Sequence, residues 1–218
     1  MSAKTKRPDT QTPKRSVLEE VGNSVTHGVG ALFAVAALVL MLLEARTANQ
    51  RAGAVVYFTG LFLSMLASCL YHAFPHGSGV KRLFRRFDYI SIYLLIGATF
   101  APILTVFVGG TFGYVFLVVQ WVVIVLGIVF VAVFGPQRFR WAHITGYIVL
   151  GWSGLLILPL MVGRSLTLLG FVLGGGIVYS LGIIPFALKK RGSHFIWHFF
   201  VLAGAVIQWL GIYGALYA

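Results

Sequence analysis

His194 and His198 stand four residues apart in the segment Ser193-His194-Phe195-Ile196-Trp197-His198. That spacing projects two imidazoles from one face of a helix, where they can grip a single metal ion. A third histidine, His72, lies far away in sequence and follows Ser68 at the same interval. Three nitrogen donors leave one tetrahedral position open, the pattern of a catalytic rather than a closed structural zinc site. The donor set favours Zn2+ and leaves Fe, Co and Cu open. Asp88 is the candidate carboxylate, either as a direct ligand or, in the preferred reading, as a general base that takes a proton from water at the open position. Ser68, one helical turn from His72, can orient a ligand or donate to a developing oxyanion.

Plainer roles compete with these. Asp88 follows Arg85 by three residues, so an interfacial ion pair is an alternative to catalysis. Glu20, Asn23 and His27 recur at helical spacing. They read either as an amphipathic lead-in, with Glu20 favouring a helix N-terminus, or as a second shell around the metal. His76 and His143 are expected to be headgroup contacts. Cys69 is the only cysteine, so an intrachain disulfide is excluded, and a packed thiol is expected.

The elements that must position these groups are membrane spans. The 218 residues are 59% apolar and 10% charged, with mean hydropathy +0.91; soluble domains carry roughly 25% charged residues. Seven apolar segments separate, at about residues 25–45, 52–74, 87–108, 112–134, 142–162, 165–188 and 194–217, each long enough to cross about 30 Å of hydrocarbon as a helix. The sequence therefore predicts an all-α membrane protein of seven transmembrane helices. The first sixteen residues are polar and basic, without the apolar stretch of a secretory signal. Residues 1–18 are expected to form a disordered cytoplasmic tail, and residues 19–218 the transmembrane domain.

Basic residues set the orientation. The amino-terminal tail and the loops on its side hold Lys4, Lys6, Arg7, Lys14, Arg15, Lys81, Arg82, Arg85, Arg86, Arg138, Arg140, Lys189, Lys190 and Arg191, while the other side holds only Arg46, Arg51 and Arg164. The amino terminus is expected to be cytoplasmic and the carboxyl terminus external, the reverse of a G-protein-coupled receptor. This topology brings His72, at the end of the second span, to the same depth as Asp88, opening the third, and His194 and His198, opening the seventh. The net charge of +12 then belongs against anionic lipid headgroups, and no nucleic-acid partner is expected. Membrane lipids are the expected partners; the oligomeric state is not legible. Pro102, Pro159 and Pro185 are expected to kink their helices, and Gly170 with Gly174 to form a close-packing face of the sixth span.

Glu20-x-x-Asn23-x-x-Thr26-His27, Ser68-x-x-x-His72, Asp88 and His194-Phe-Ile-Trp-His198 occur on the first, second, third and seventh spans. In that order and placement the chain resembles the bacterial hemolysin III proteins of the progestin and adipoQ receptor (PAQR) family, from about residue 19 onward. The resemblance implies a seven-helix fold with a cytoplasmic amino terminus, a zinc site near the inner face built by His72, His194 and His198, and Asp88 contacting the water on the zinc. The wider superfamily, which includes alkaline ceramidases, shares the serine matching Ser68 and implies metal-dependent hydrolysis of lipid amides. The chain departs from the eukaryotic receptors in lacking an extended ligand-binding segment, which sets hormone sensing aside.

Three functions are in play. The first is a zinc-dependent intramembrane hydrolase of lipid amides or esters. The second is a non-enzymatic regulator of membrane lipid homeostasis with structural zinc. The third is a lytic or channel protein, as the hemolysin name implies. A pore needs polar residues through the full depth of the membrane, and the outer half of this chain is nearly uncharged. The expected location is a multi-pass cell membrane, the inner membrane of a bacterium.

Overall fold

The computed structural model describes residues 14–188 and 190–218. Hydroxyl caps start four of its eight α-helices by accepting a backbone N–H that the first turn leaves free. Ser16 caps α1 (Val17–Glu44) and Thr47 caps α2 (Ala48–Ala73), the latter in a full capping box with Gln50. Ser78 caps α3 (Gly79–Pro102). Beyond Pro102, which lacks an N–H, the chain continues through a π turn, Ile103–Val108, into α4 (Gly110–Phe134). The fifth span is broken into α5 (Arg140–Trp152), a 3₁₀ turn (Ser153–Ile157) and α6 (Leu158–Arg164). Ser165 caps α7 (Leu166–Ala187), and α8 (Ser193–Leu216) closes the bundle.

Seven helical stretches of the described residues are long and apolar enough to cross a membrane. Two begin about eight residues before their apolar segments, α1 at Val17 and α3 at Gly79, because caps rather than hydropathy set a helix start. Asp88 consequently sits in the third turn of α3. Of the expected tail, residues 1–13 lie outside the described residues, and Val17 and Leu18 are already helical.

The main core is shared by α1, α2, α3 and α8. Ala31, Ala34 and Ala37 line one face of α1 and let α2 approach closely. Tyr57, Leu61 and Met65 of α2 are almost fully buried beside Ala205 and Ile212 of α8. A second cluster, Tyr89, Tyr93, Ile124, Val131 and Leu150, joins α3 to α4 and α5.

Three expectations are corrected here. His143 is buried at 1% exposure, with Nδ1 3.3 Å from the Tyr93 hydroxyl; it is an inter-helix contact, because α5 turns that face toward α3 and away from headgroups. A Cβ on Gly170 would meet nothing within 4 Å, and one on Gly174 only Ile207 at 3.8 Å. The close-packing glycines of α7 are Gly175, where a Cβ would lie 2.3 Å from Gln208 Cγ and 3.1 Å from the Gly204 carbonyl, and Gly182, where it would lie 2.7 Å from Phe200 Cβ. The prolines also act unequally. Pro159 occupies the first turn of α6, where a missing N–H is harmless, while Pro185 stays inside α7 near its end. Cys69 packs beside Ser24, its thiol 3.4 Å from that hydroxyl.

Candidate metal centre

α2 delivers His72 from its penultimate residue, and α8 delivers His194 and His198 from its first two turns. The start of α8 is fixed by Gly192 at φ 80°, in the left-handed region that favours glycine. The Gly192 N–H donates to Glu19 Oε1 at 2.8 Å, which ties the start of α8 to the start of α1.

The three histidines converge. His194 Nε2 lies 3.3 Å from His72 Nε2 and 3.3 Å from His198 Nε2, and one ring nitrogen from each lies within 4.8 Å of the others. Tetrahedral coordination at about 2.0–2.1 Å sets ligand nitrogens about 3.3 Å apart, so two of the three separations already suit one ion. The three residues can therefore hold a metal ion, and Asp88 stands outside that group. His72 and His198 are 2% and 1% exposed.

A second set of side chains fixes the ring of His72. Its Nδ1 lies 2.5 Å from Glu20 Oε2 and 3.3 Å from Asn23 Nδ2. A proton on Nδ1 directed at the carboxylate leaves Nε2 as the lone-pair donor, the usual arrangement behind a metal-binding histidine. Glu20 Oε1 in turn pairs with Lys81 Nζ at 3.2 Å. Lys81 is fully buried and donates to the carbonyls of Tyr71 at 2.9 Å and Phe74 at 3.0 Å, closing the end of α2 that carries His72. Lys81 reads in the sequence as a loop charge; its place in a Lys81–Glu20–His72 chain is the role that reading misses. The one available signal is that it follows Ser78 by three residues and so falls inside the helix that Ser78 caps.

His27 stacks on His198 with ring centroids 3.9 Å apart, and neither of its ring nitrogens has a partner among the described residues. Asp88 lies within electrostatic reach of Ser68, Arg15 and Arg85. His76 is exposed in the α2–α3 loop, away from the cluster.

His27, Ser68, Asp88, His194 and His198 all line one internal cavity of about 670 Å³. Its other end is apolar, bounded by Leu95, Ile103, Leu158, Met161, Leu169 and Val172. The cavity thus has a polar head beside the histidines and an apolar body running through the bundle.

Seven helices long and apolar enough to span a membrane, an internal cavity and three convergent histidines, two of them on its lining, define a multi-pass membrane protein with a candidate metal centre. The chain belongs to the haemolysin-III related family, whose profile matches residues 15–209. It is 37% identical over 200 residues to "Hemolysin-3" of Bacillus cereus, covering 88% of this chain and 89% of that protein. It is 35% identical over 196 residues to "Hemolysin-3 homolog" of Bacillus subtilis (strain 168), covering 87% and 91%. It is also similar to the "Monocyte to macrophage differentiation factor" of Homo sapiens, 24% identical over 212 residues, covering 94% and 87%.

Proposed function

We propose that this chain is a zinc-dependent hydrolase of lipid amides or esters, working inside the membrane near its cytoplasmic face. The observation that carries the proposal is the pairing of three convergent imidazoles with Asp88 and Ser68 at the head of a cavity whose body is apolar. His72, His194 and His198 would hold the ion through Nε2. Zinc so held supplies Lewis acidity, polarising a carbonyl and bringing the pKa of water toward about 7.

The chain's own residues perform the remaining work. Asp88, outside the trihistidine group but on the same cavity, takes the proton of the attacking water at its carboxylate and returns it to the leaving nitrogen or oxygen. Ser68 lines the same cavity as Asp88 and is placed to donate to a developing oxyanion. The Glu20–Lys81 pair keeps the His72 ring in one tautomer and orientation. The apolar walls hold the acyl chain and exclude water.

The test is incubation of purified protein with defined ceramides and phospholipids. Turnover that disappears with chelator, returns with zinc and is abolished by His72→Ala supports the reading. Turnover indifferent to chelator and to that substitution contradicts it.

A second reading, a regulator of membrane lipid homeostasis with structural zinc, draws on the position of His72, which is buried behind the cavity and does not line it. Under that reading, Asp88→Ala keeps both zinc and physiological function.

A further inference from the structure

The head of the cavity carries a surplus of positive charge that the hydrolase reading does not use. Lys14, Arg15, Arg85, Arg140, Lys190 and Arg191 all line it, against the carboxylates Glu19 and Asp88. Glu19 is already engaged by the Gly192 N–H and by Ser16. Glu20, which does not line the cavity, pairs with Lys81 and His72. A surplus of cations on one side of a membrane protein has an ordinary origin in lipid headgroup attraction. Two arginines here do more than that. Arg140 is turned onto the cavity wall, its guanidinium 4.6 Å over the Phe186 ring and its Nη2 donating to the Phe186 carbonyl at 3.1 Å, while its buried Nε has no partner. Arg15, also on the lining, donates to the Tyr71 hydroxyl at 3.4 Å. Arg138, two residues from Arg140, stacks instead on Phe134 and Phe139 and is not part of the lining.

From this placement we propose that the cavity binds an acyl lipid with a net-anionic phosphate head, held by Arg15 and Arg140, its chain running into the apolar body. This proposal rests on the hydrolase reading for its consequence, since it names the class of substrate, but the binding itself does not require turnover. Guanidinium groups match phosphate oxygens in geometry as well as charge. The surplus charge at the head matches such a group better than a neutral amide or a zwitterion. Arg85 at the head and Ile103 in the body are eighteen residues apart, along α3 and into the first residue of the π turn, about 27 Å at 1.5 Å per residue, long enough for a fatty-acyl chain. A volume of about 670 Å³ suits a single ligand, as ligand cavities span about 300–1,000 Å³.

The experiment is a native mass-spectrometric titration of the full chain in nonionic detergent, in an Asp88→Asn background so that hydrolysis does not consume the probe. Lysophosphatidate, lysophosphatidylcholine with the same acyl chain, and inorganic phosphate are compared, with bound metal read in the same spectra. Lysophosphatidate is expected to bind about tenfold or more tighter than the choline lipid. That preference is expected to vanish in the Arg15→Gln/Arg140→Gln double variant and to persist in Arg138→Gln, with metal content unchanged. Equal affinity for the two lipids overturns the proposal, as does a preference that survives the double variant. Inorganic phosphate competing as well as the lysolipid overturns the assignment of an acyl lipid. Metal loss with the lipid preference intact counts against the hydrolase reading alone, so the two fail separately.

Discussion

The two sides of this bundle are built on different principles. On one side α1, α2, α3 and α8 pack through alanines and glycines, and 61% of the most apolar stretch of the third span is buried. On the other side α4 and α7 turn most of their surface outward, with only 17% of the corresponding stretches buried. Val115, Val118, Val122 and Val125 of α4 all face outward. The three convergent histidines come from the first side alone, and α7 of the second supplies part of the cavity wall. A metal centre needs ligands held to fractions of an ångström; a hydrocarbon wall needs only shape and apolarity. The placement of polar chemistry follows that difference.

The sharpest way to break the contrast is to remove a ligand. His194→Ala or His198→Ala should take bound metal from about one ion per chain to nearly none, because two histidines do not complete a stable zinc site; elemental analysis of chelator-free preparations checks this. Next in size is Lys81→Met, which strips Glu20 of its partner and leaves the Tyr71 and Phe74 carbonyls unmet. A loss of about 3 kcal/mol is expected, the low end for breaking a buried pair because Glu20 is partly exposed, and it should appear as a lowered thermal midpoint with metal present. Glu20→Gln should fold normally but bind metal about 10–100-fold more weakly, as loss of a carboxylate behind a ligating histidine does; competition with a chromophoric chelator measures it. The smallest pair compares the seam where α7 meets α8 with the outward face of α4. Gly175→Leu should cost about 1–3 kcal/mol through overpacking against Gln208 and Gly204. Val122→Leu, on the outward face of α4, should change stability by less than about 0.5 kcal/mol.

Much of this was legible in the sequence. Hydropathy marked seven spans, and the asymmetry of lysine and arginine put His72, Asp88, His194 and His198 at one depth. The i, i+4 spacing then paired two of the candidate ligands. What escaped depends on contacts between helices. Lys81 counts as a solvent charge until the end of α2 is known to present its carbonyls there. His143 looks interfacial until α5 is seen to turn it toward Tyr93. Gly175 cannot be told from Gly174 by pattern, because a rotation of about 100° separates neighbouring residues on a helix. The convergence of arginines on the cavity head is likewise invisible, since Arg15, Arg85 and Arg140 lie in separate parts of the chain.

The most direct measurement is X-ray absorption at the zinc edge on full-length protein purified without chelator, alongside His194→Ala. The account predicts one zinc per chain with three imidazole nitrogens at about 2.0 Å and one oxygen donor, lost in the variant. Stoichiometric protein with no bound metal, or an edge spectrum unchanged by the substitution, would contradict it.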